Sequence, residues 1–119
     1  MYRPSLNLFA EKAEHLFRPL ITEHGYELQQ TRFNQYSVQL IYLNKQLQRS
    51  VKIENAIHGY DYGFSIFIKD IDSSQEEILL NLPNEKQDSG CKFLEQSASA
   101  FFGNPEVARK LESANWQPL

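Results

Sequence analysis

The sequence predicts an α+β fold: an N-terminal helix, an antiparallel meander of four to five strands, and two C-terminal helices, with the helices packed on one sheet face. Two observations predict it. Within residues 35–69, three successive segments alternate apolar and polar side chains with the period of a half-buried strand. On both flanks, apolar residues recur at spacings of three and four, the stripe of an amphipathic helix that needs a surface to cover.

The N-terminal stripe is Leu6, Phe9, Ala10, Ala13, Leu16, Phe17, Leu20 and Ile21. Ser5 can cap its start, and Gly25 can take the left-handed conformation that closes a helix. Pro19 lacks an amide donor and crowds the carbonyl of His15, so the helix should kink near Arg18 or break into two pieces. Residues 26–33 read as a first strand. Tyr26 and Leu28 share one parity while Thr31 and Phe33 share the other, a mismatch that a bulge reconciles.

Asn34 and Gln35 turn the chain into a strand whose inward residues are Tyr36, Val38, Leu40 and Tyr42. Asn44 and Lys45 turn it again, into Leu47, Val51 and Ile53, since Asn tolerates the positive φ of tight hairpins. His58-Gly59-Tyr60-Asp61 is a longer connection to Tyr62, Phe64, Ile66 and Ile68. Residues 74–82 admit two readings. Ser74 and Glu77 have the spacing of a capping box, but Ile78, Leu80 and Leu82 alternate up to Pro83. A helix there would be only about two turns long, so a strand at one sheet edge is favoured.

After a loop over 83–90, Asp88 or Ser89 can cap a helix that buries Phe93, Leu94, Ala98, Phe101 and Phe102 and ends at Gly103. Asn104-Pro105-Glu106 opens a last helix, because Asn caps, Pro suits the first turn and Glu faces the positive end of the dipole. Val107, Ala108 and Leu111 form its buried stripe, and Trp116 is expected to pack back onto the domain.

With 119 residues the chain reads as a single domain, 1–119, long enough to bury roughly two-thirds of the surface its unfolded form exposes. The lone cysteine, Cys91, excludes an internal disulfide and suits a reducing compartment. No apolar run approaches the ~20 residues of a membrane span, and Met1-Tyr2-Arg3-Pro4 leads into charges instead of a signal-peptide core. The expectation is a soluble, cytoplasmic protein without membrane contact.

The net charge of −3 argues against direct binding to nucleic acid, which calls for a clustered basic surface. The charge is also unevenly placed. Residues 70–88 hold Asp70, Asp72, Glu76, Glu77, Glu85 and Asp88 against Lys86 alone, a local balance of −5. Such a segment can steer a basic partner, or serve as a solvated acidic loop.

Metal and cofactor chemistry find little support. His15, His24 and His58 form no ligand pair at helical spacing, and Cys91 has no neighbouring thiol. Asp70, Asp72, Ser74 and Glu76 imitate a calcium loop, but Gln75 stands where that loop needs Gly and Asn81 where it needs a bidentate Glu. The five glycines never cluster into a phosphate loop. Glu76 and Glu77, adjacent on a strand, point to opposite faces. Cys91 in the first turn of a helix is the one candidate nucleophile, against the plainer reading of a small semi-buried side chain. No catalytic residue and no cofactor is assigned.

Binding surfaces fare better. The sheet face away from the core would show Gln35, Ser37, Gln39, Ile41, Gln48, Ser50, Lys52, Ser65 and Phe67, largely uncharged and cheap to desolvate. At the turn, Tyr60 and Asp61 beside Tyr62 suit a contact hot spot, with Tyr62 also able to fill core.

The order of these features resembles that of small bacterial immunity proteins of contact-dependent growth inhibition systems. The residues that carry the resemblance are Arg18-Pro19-Leu20-Ile21 running to Gly25-Tyr26, the meander through Tyr60-Asp61-Tyr62-Gly63-Phe64, then Leu82-Pro83 and a late Trp116. It spans most of the chain and rests on architecture and size. The resemblance implies a cytoplasmic, non-enzymatic protein that neutralises one cognate toxin domain, often a nuclease, by stoichiometric binding. No binding residue carries over position by position. On the charge pattern, the expected partner is a toxin domain with a basic surface, met by Asp70, Asp72, Glu76, Glu77, Glu85 and Asp88, together with Tyr60 and Asp61 at the turn. A monomer is expected. The alternatives are a small cysteine-dependent enzyme or ligand-binding domain, and a module that self-associates through its edge strand or Gln/Ser face.

Overall fold

Pro19 divides the N-terminal helix in two. In the computed structural model, which describes residues 5–56 and 63–114, α1 runs over Leu6–Leu16 and α2 over Pro19–Thr22. The Oγ of Ser5 accepts the Leu8 amide at 3.1 Å, capping α1. Pro19 occupies the start of α2, where a missing N–H leaves no helical bond unmade. Gly25, at φ +78°, then turns the chain into the sheet.

Five strands follow: β1 over Glu27–Phe33, β2 over Ser37–Asn44, β3 over Arg49–Ala56, β4 over Gly63–Asp70 and β5 over Glu77–Leu82. They pair antiparallel in chain order, β1-β2-β3-β4-β5. The expected irregularity in β1 lies between Leu28 and Gln30, where the register with β2 shifts by a residue. β5 is a strand, as its alternation favours, and it forms one edge of the sheet. A short 3₁₀ turn over Asn84–Lys86 leads to α3, Lys92–Phe102, and α4, Pro105–Glu112, which Asn104 caps by accepting the Glu106 amide at 2.9 Å.

Two turns are wider than the alternation suggests. Leu47 and Gln48 belong to the β2–β3 turn and not to a strand: the side chain of Asn44 accepts the Leu47 amide at 2.9 Å, and Gln48 sits at φ +54°. Gln35 and Tyr36 likewise fall in the β1–β2 turn, where Asn34 Oδ1 accepts the amides of Tyr36 and Ser37 at 3.0 and 2.8 Å. A short polar side chain that bonds forward along the backbone holds its neighbours out of the ladder. The 58–62 connection, including Tyr60, Asp61 and Tyr62, and Trp116 lie outside the described residues.

The inward residues of the strands, Val38, Leu40, Tyr42, Val51, Ile53, Phe64, Ile66 and Ile68, join Phe9, Phe17, Leu20, Leu94, Phe101 and Leu111 of the helices in one continuous core. Phe64 of β4 is its hub. Its ring meets Phe9 at 5.4 Å and Phe17 at 6.5 Å from α1 and its exit, and Phe93 of α3 at 5.9 Å. These edge-on contacts each add about 0.5–1.5 kcal/mol beyond the area they bury. The helices gather on that face, so the opposite face of the sheet carries none among the described residues.

Candidate protein-binding interface

The strand register arranges the helix-free face in lateral rows. One row runs Arg32, Gln39, Glu54, Ser65 and Asn81, one residue from each strand. It is knitted by two hydrogen bonds: Gln39 Nε2 donates to Glu54 Oε2 at 2.6 Å, and Asn81 Nδ2 donates to Ser65 Oγ at 2.7 Å. Glu54 is only 6% exposed although no helix covers it. The next row, Gln30, Ile41, Lys52, Phe67 and Ile78, is more apolar. Lys52 lies 4.7 Å over the Phe67 ring and 3.5 Å from Glu76 Oε2. A third row holds Leu43, Ser50 and Lys69.

The β4–β5 loop rises beside these rows, tied down by Lys69 Nζ donating to the Ser73 carbonyl at 3.1 Å. Between loop and sheet lies a concavity of about 460 Å³, lined by Arg32, Lys52, Lys69, Ser50, Ser74 and Glu76 together with Gln39 and Ile41. Of the face expected from the sequence, Ser37, Gln39, Ile41, Ser50, Lys52, Ser65 and Phe67 take their places, whereas Gln35 and Gln48 are in turns.

The acids of residues 70–88 divide into two groups. Asp70 accepts Arg49 Nε at 2.9 Å, and Glu77 is ion-paired with Lys110. Asp88 accepts the amides of Gly90, Lys92 and Phe93 at 3.1, 3.0 and 2.9 Å, and so caps α3. The Lys92 amide is the largest single cause that holds the Asp88 carboxyl below its usual range; slight burial opposes, and Phe93 and Gly90 add to the effect. These three acids build the fold. Asp72, Glu76 and Glu85 are exposed, and among the described residues Asp72 and Glu85 form no ion pair. Beside Asp72 and Glu76, Ile71 and Ile78 are 38% and 58% exposed, so apolar and acidic groups share that end of β5, while Glu85 lies in the turn after its other end.

Comparison of the chain with protein-family models, curated proteins and solved structures found no match. The site therefore rests on its own geometry.

Arg49 escaped the sequence reading. The residue is 1% exposed, and its guanidinium spans the end of the core: Nε holds Asp70, while Nη1 donates to the carbonyls of Lys110 at 2.9 Å and Ser113 at 2.7 Å. Tyr26 adds a bond from its hydroxyl to the Leu111 carbonyl at 2.8 Å. Together they satisfy three carbonyls at the end of α4, those of Lys110, Leu111 and Ser113. The signal was available, since Arg49 shares the parity of Val51 and Ile53 and so must point inward with them.

Cys91 is not the first-turn thiol expected. It is the N-cap of α3, in the left-handed region at φ +64°, with 1% of its surface exposed. Burial, seconded by the charge of Asp88 and opposed by Lys12, pushes its thiol up to about 11. At neutral pH it is a protonated, packed side chain. His24 stacks on Phe102 and bonds Glu112 through Nδ1 at 3.0 Å, and His15 is exposed on α1. Among the described residues, no group of three His, Cys, Asp or Glu side chains is placed to hold a metal ion, and no helix is long and apolar enough to cross a membrane.

Proposed function

We propose that this protein binds another protein stoichiometrically and without catalysis, as an immunity protein neutralises a cognate toxin domain, and that the partner presents a basic surface. The observation that supports this is the β5 side of the sheet, where Asp72 and Glu76 stand exposed beside Ile71 and Ile78 and Glu85 is exposed in the turn that follows β5. Exposed charges around apolar residues form the rim and centre of a specific contact, the charges setting encounter rate and register. The protonated, buried Cys91 lends no support to a thiol-dependent enzyme.

The test begins with capture of the tagged protein from its native lysate and titration of what is retained. A single basic partner, bound with a Kd on the order of nanomolar, is expected. Reversal of Asp72 and Glu85 to lysine should then slow association about tenfold at low salt and flatten its salt dependence. An unchanged association rate would remove the acidic margin from the interface.

The place of β5 at the sheet edge, with no further strand paired to it among the described residues, favours a second reading, pairing between copies of this chain. Sedimentation across a wide concentration range separates the two, since self-pairing predicts a dimer without any partner.

A further inference from the structure

We infer that the concavity on the helix-free face is a docking site for acidic side chains of a partner protein, a second contact of opposite sign to the acidic margin. It rests on the protein-binding reading above and extends it to a surface that the overall negative charge conceals. Three cations, Arg32, Lys52 and Lys69, line the pocket against one carboxylate, Glu76. Lys52 and Lys69 are diagonal neighbours on adjacent strands, since Lys52 pairs with Phe67 and Lys69 lies two residues further along β4. Like charges at that separation, roughly 7–8 Å, repel unless an anion lies between them.

Glu76 answers only Lys52, at 3.5 Å; among the described residues Arg32 and Lys69 have no carboxylate in ion-pair range. Each cation is nonetheless held in place. Arg32 Nη2 donates to Gln30 Oε1 at 3.2 Å, Lys52 rests over Phe67, and Lys69 is tied to the Ser73 carbonyl. Cations already ordered lose little side-chain entropy on binding. The hydroxyls of Ser50 and Ser74 supply further donors within the lining.

The occupant follows from charge and shape. A nucleic acid would run its phosphates beyond the pocket onto Glu76 and the exposed Asp72, and it would gain nothing from the apolar row of Ile41, Phe67 and Ile78. One or two carboxylates on an otherwise apolar protein segment match both the pocket and that row.

The experiment is an NMR titration of the full chain with three defined probes: a short peptide alternating Glu and Val, its Lys and Val counterpart, and an oligothymidylate of similar length. The expected result is saturable shifts at Gln39, Ile41, Ser50, Lys52 and Lys69 with the glutamate peptide and none there with the lysine peptide. The paired substitution Lys52→Gln and Lys69→Gln should weaken that binding about tenfold. Because Lys52 also supports Phe67, Arg32→Gln on the exposed edge strand is the second variant, expected to weaken binding with the amide spectrum otherwise intact. Tighter binding of the oligonucleotide, shifts confined to other surfaces, or affinity untouched by either substitution would overturn the inference. None of these outcomes bears on Asp72 and Glu85, so the acidic margin stands or falls by its own test.

Discussion

Arg49 and Asp70, paired across β3 and β4 at 2.9 Å, join the sheet to the end of α4. Asp70 is partly hydrated, whereas the guanidinium is buried and also holds two carbonyls of the α4 terminus. Arg49→Met keeps most of the stem's volume and removes every donor. It should cost about 3 kcal/mol in urea unfolding, because Asp70 and the half-buried carbonyls of Lys110 and Ser113 all lose the same donor. Arg49→Lys should fall between, since one ammonium cannot reproduce the guanidinium fork.

Asp88 couples stability to acid. Its folded-state carboxyl is held low by amides at the start of α3, so its contribution is complete above the unfolded value, about 4, and is lost as pH falls through the lower folded value. Asp88→Ala should cost about 1–2 kcal/mol at neutral pH. The difference from the parent should shrink below about pH 4, which unfolding curves at several pH values will show.

Cys91 couples it to base. The folded thiol, raised to about 11, stays protonated where the unfolded one, near 8.5, has ionised. Its contribution is therefore full below about pH 8.5 and declines as pH rises toward the folded value. Cys91→Ala should flatten that decline. A thiol reagent at pH 8 should react with the native protein far more slowly than with the protein in urea.

Gly63 starts β4 at φ +105°, and a Cβ there would come 2.7 Å from the Leu82 carbonyl oxygen. Gly63→Ala should destabilise by more than about 1 kcal/mol, through both the left-handed backbone and the clash. Hydrogen exchange should quicken first at the β4–β5 junction.

Much of this fold is written locally. Pro19, the parity mismatch in β1, the Asn104 cap and the alternation of Ile78, Leu80 and Leu82 act within a few residues of themselves, and each element lies where they place it. The turn boundaries are less legible, because Asn34 and Asn44 reach forward to amides that alternation assigns to strands. The site was read only in part. The acid-rich segment stands out in the sequence, but Asp70 and Glu77 have their counter-charges in Arg49 and Lys110, far along the chain. Which acids remain for a partner is decided by tertiary pairing. The basic pocket has the same origin, since Arg32, Lys52 and Lys69 come from three strands and only the register gathers them.

Strand order that equals chain order has a consequence for how the molecule is made. Each hairpin closes a short loop, so the meander can zip from one strand to the next at low entropic cost. The meeting of α1 with α3 joins segments from opposite ends of the chain, and it shields Phe64 through Phe9 and Phe93. During synthesis the sheet emerges with only α1 and α2 against its apolar side, until α3 and α4 are released. Chaperone dependence and aggregation during expression should therefore respond most to changes in α3, the element that arrives late and seals what the rest has already built.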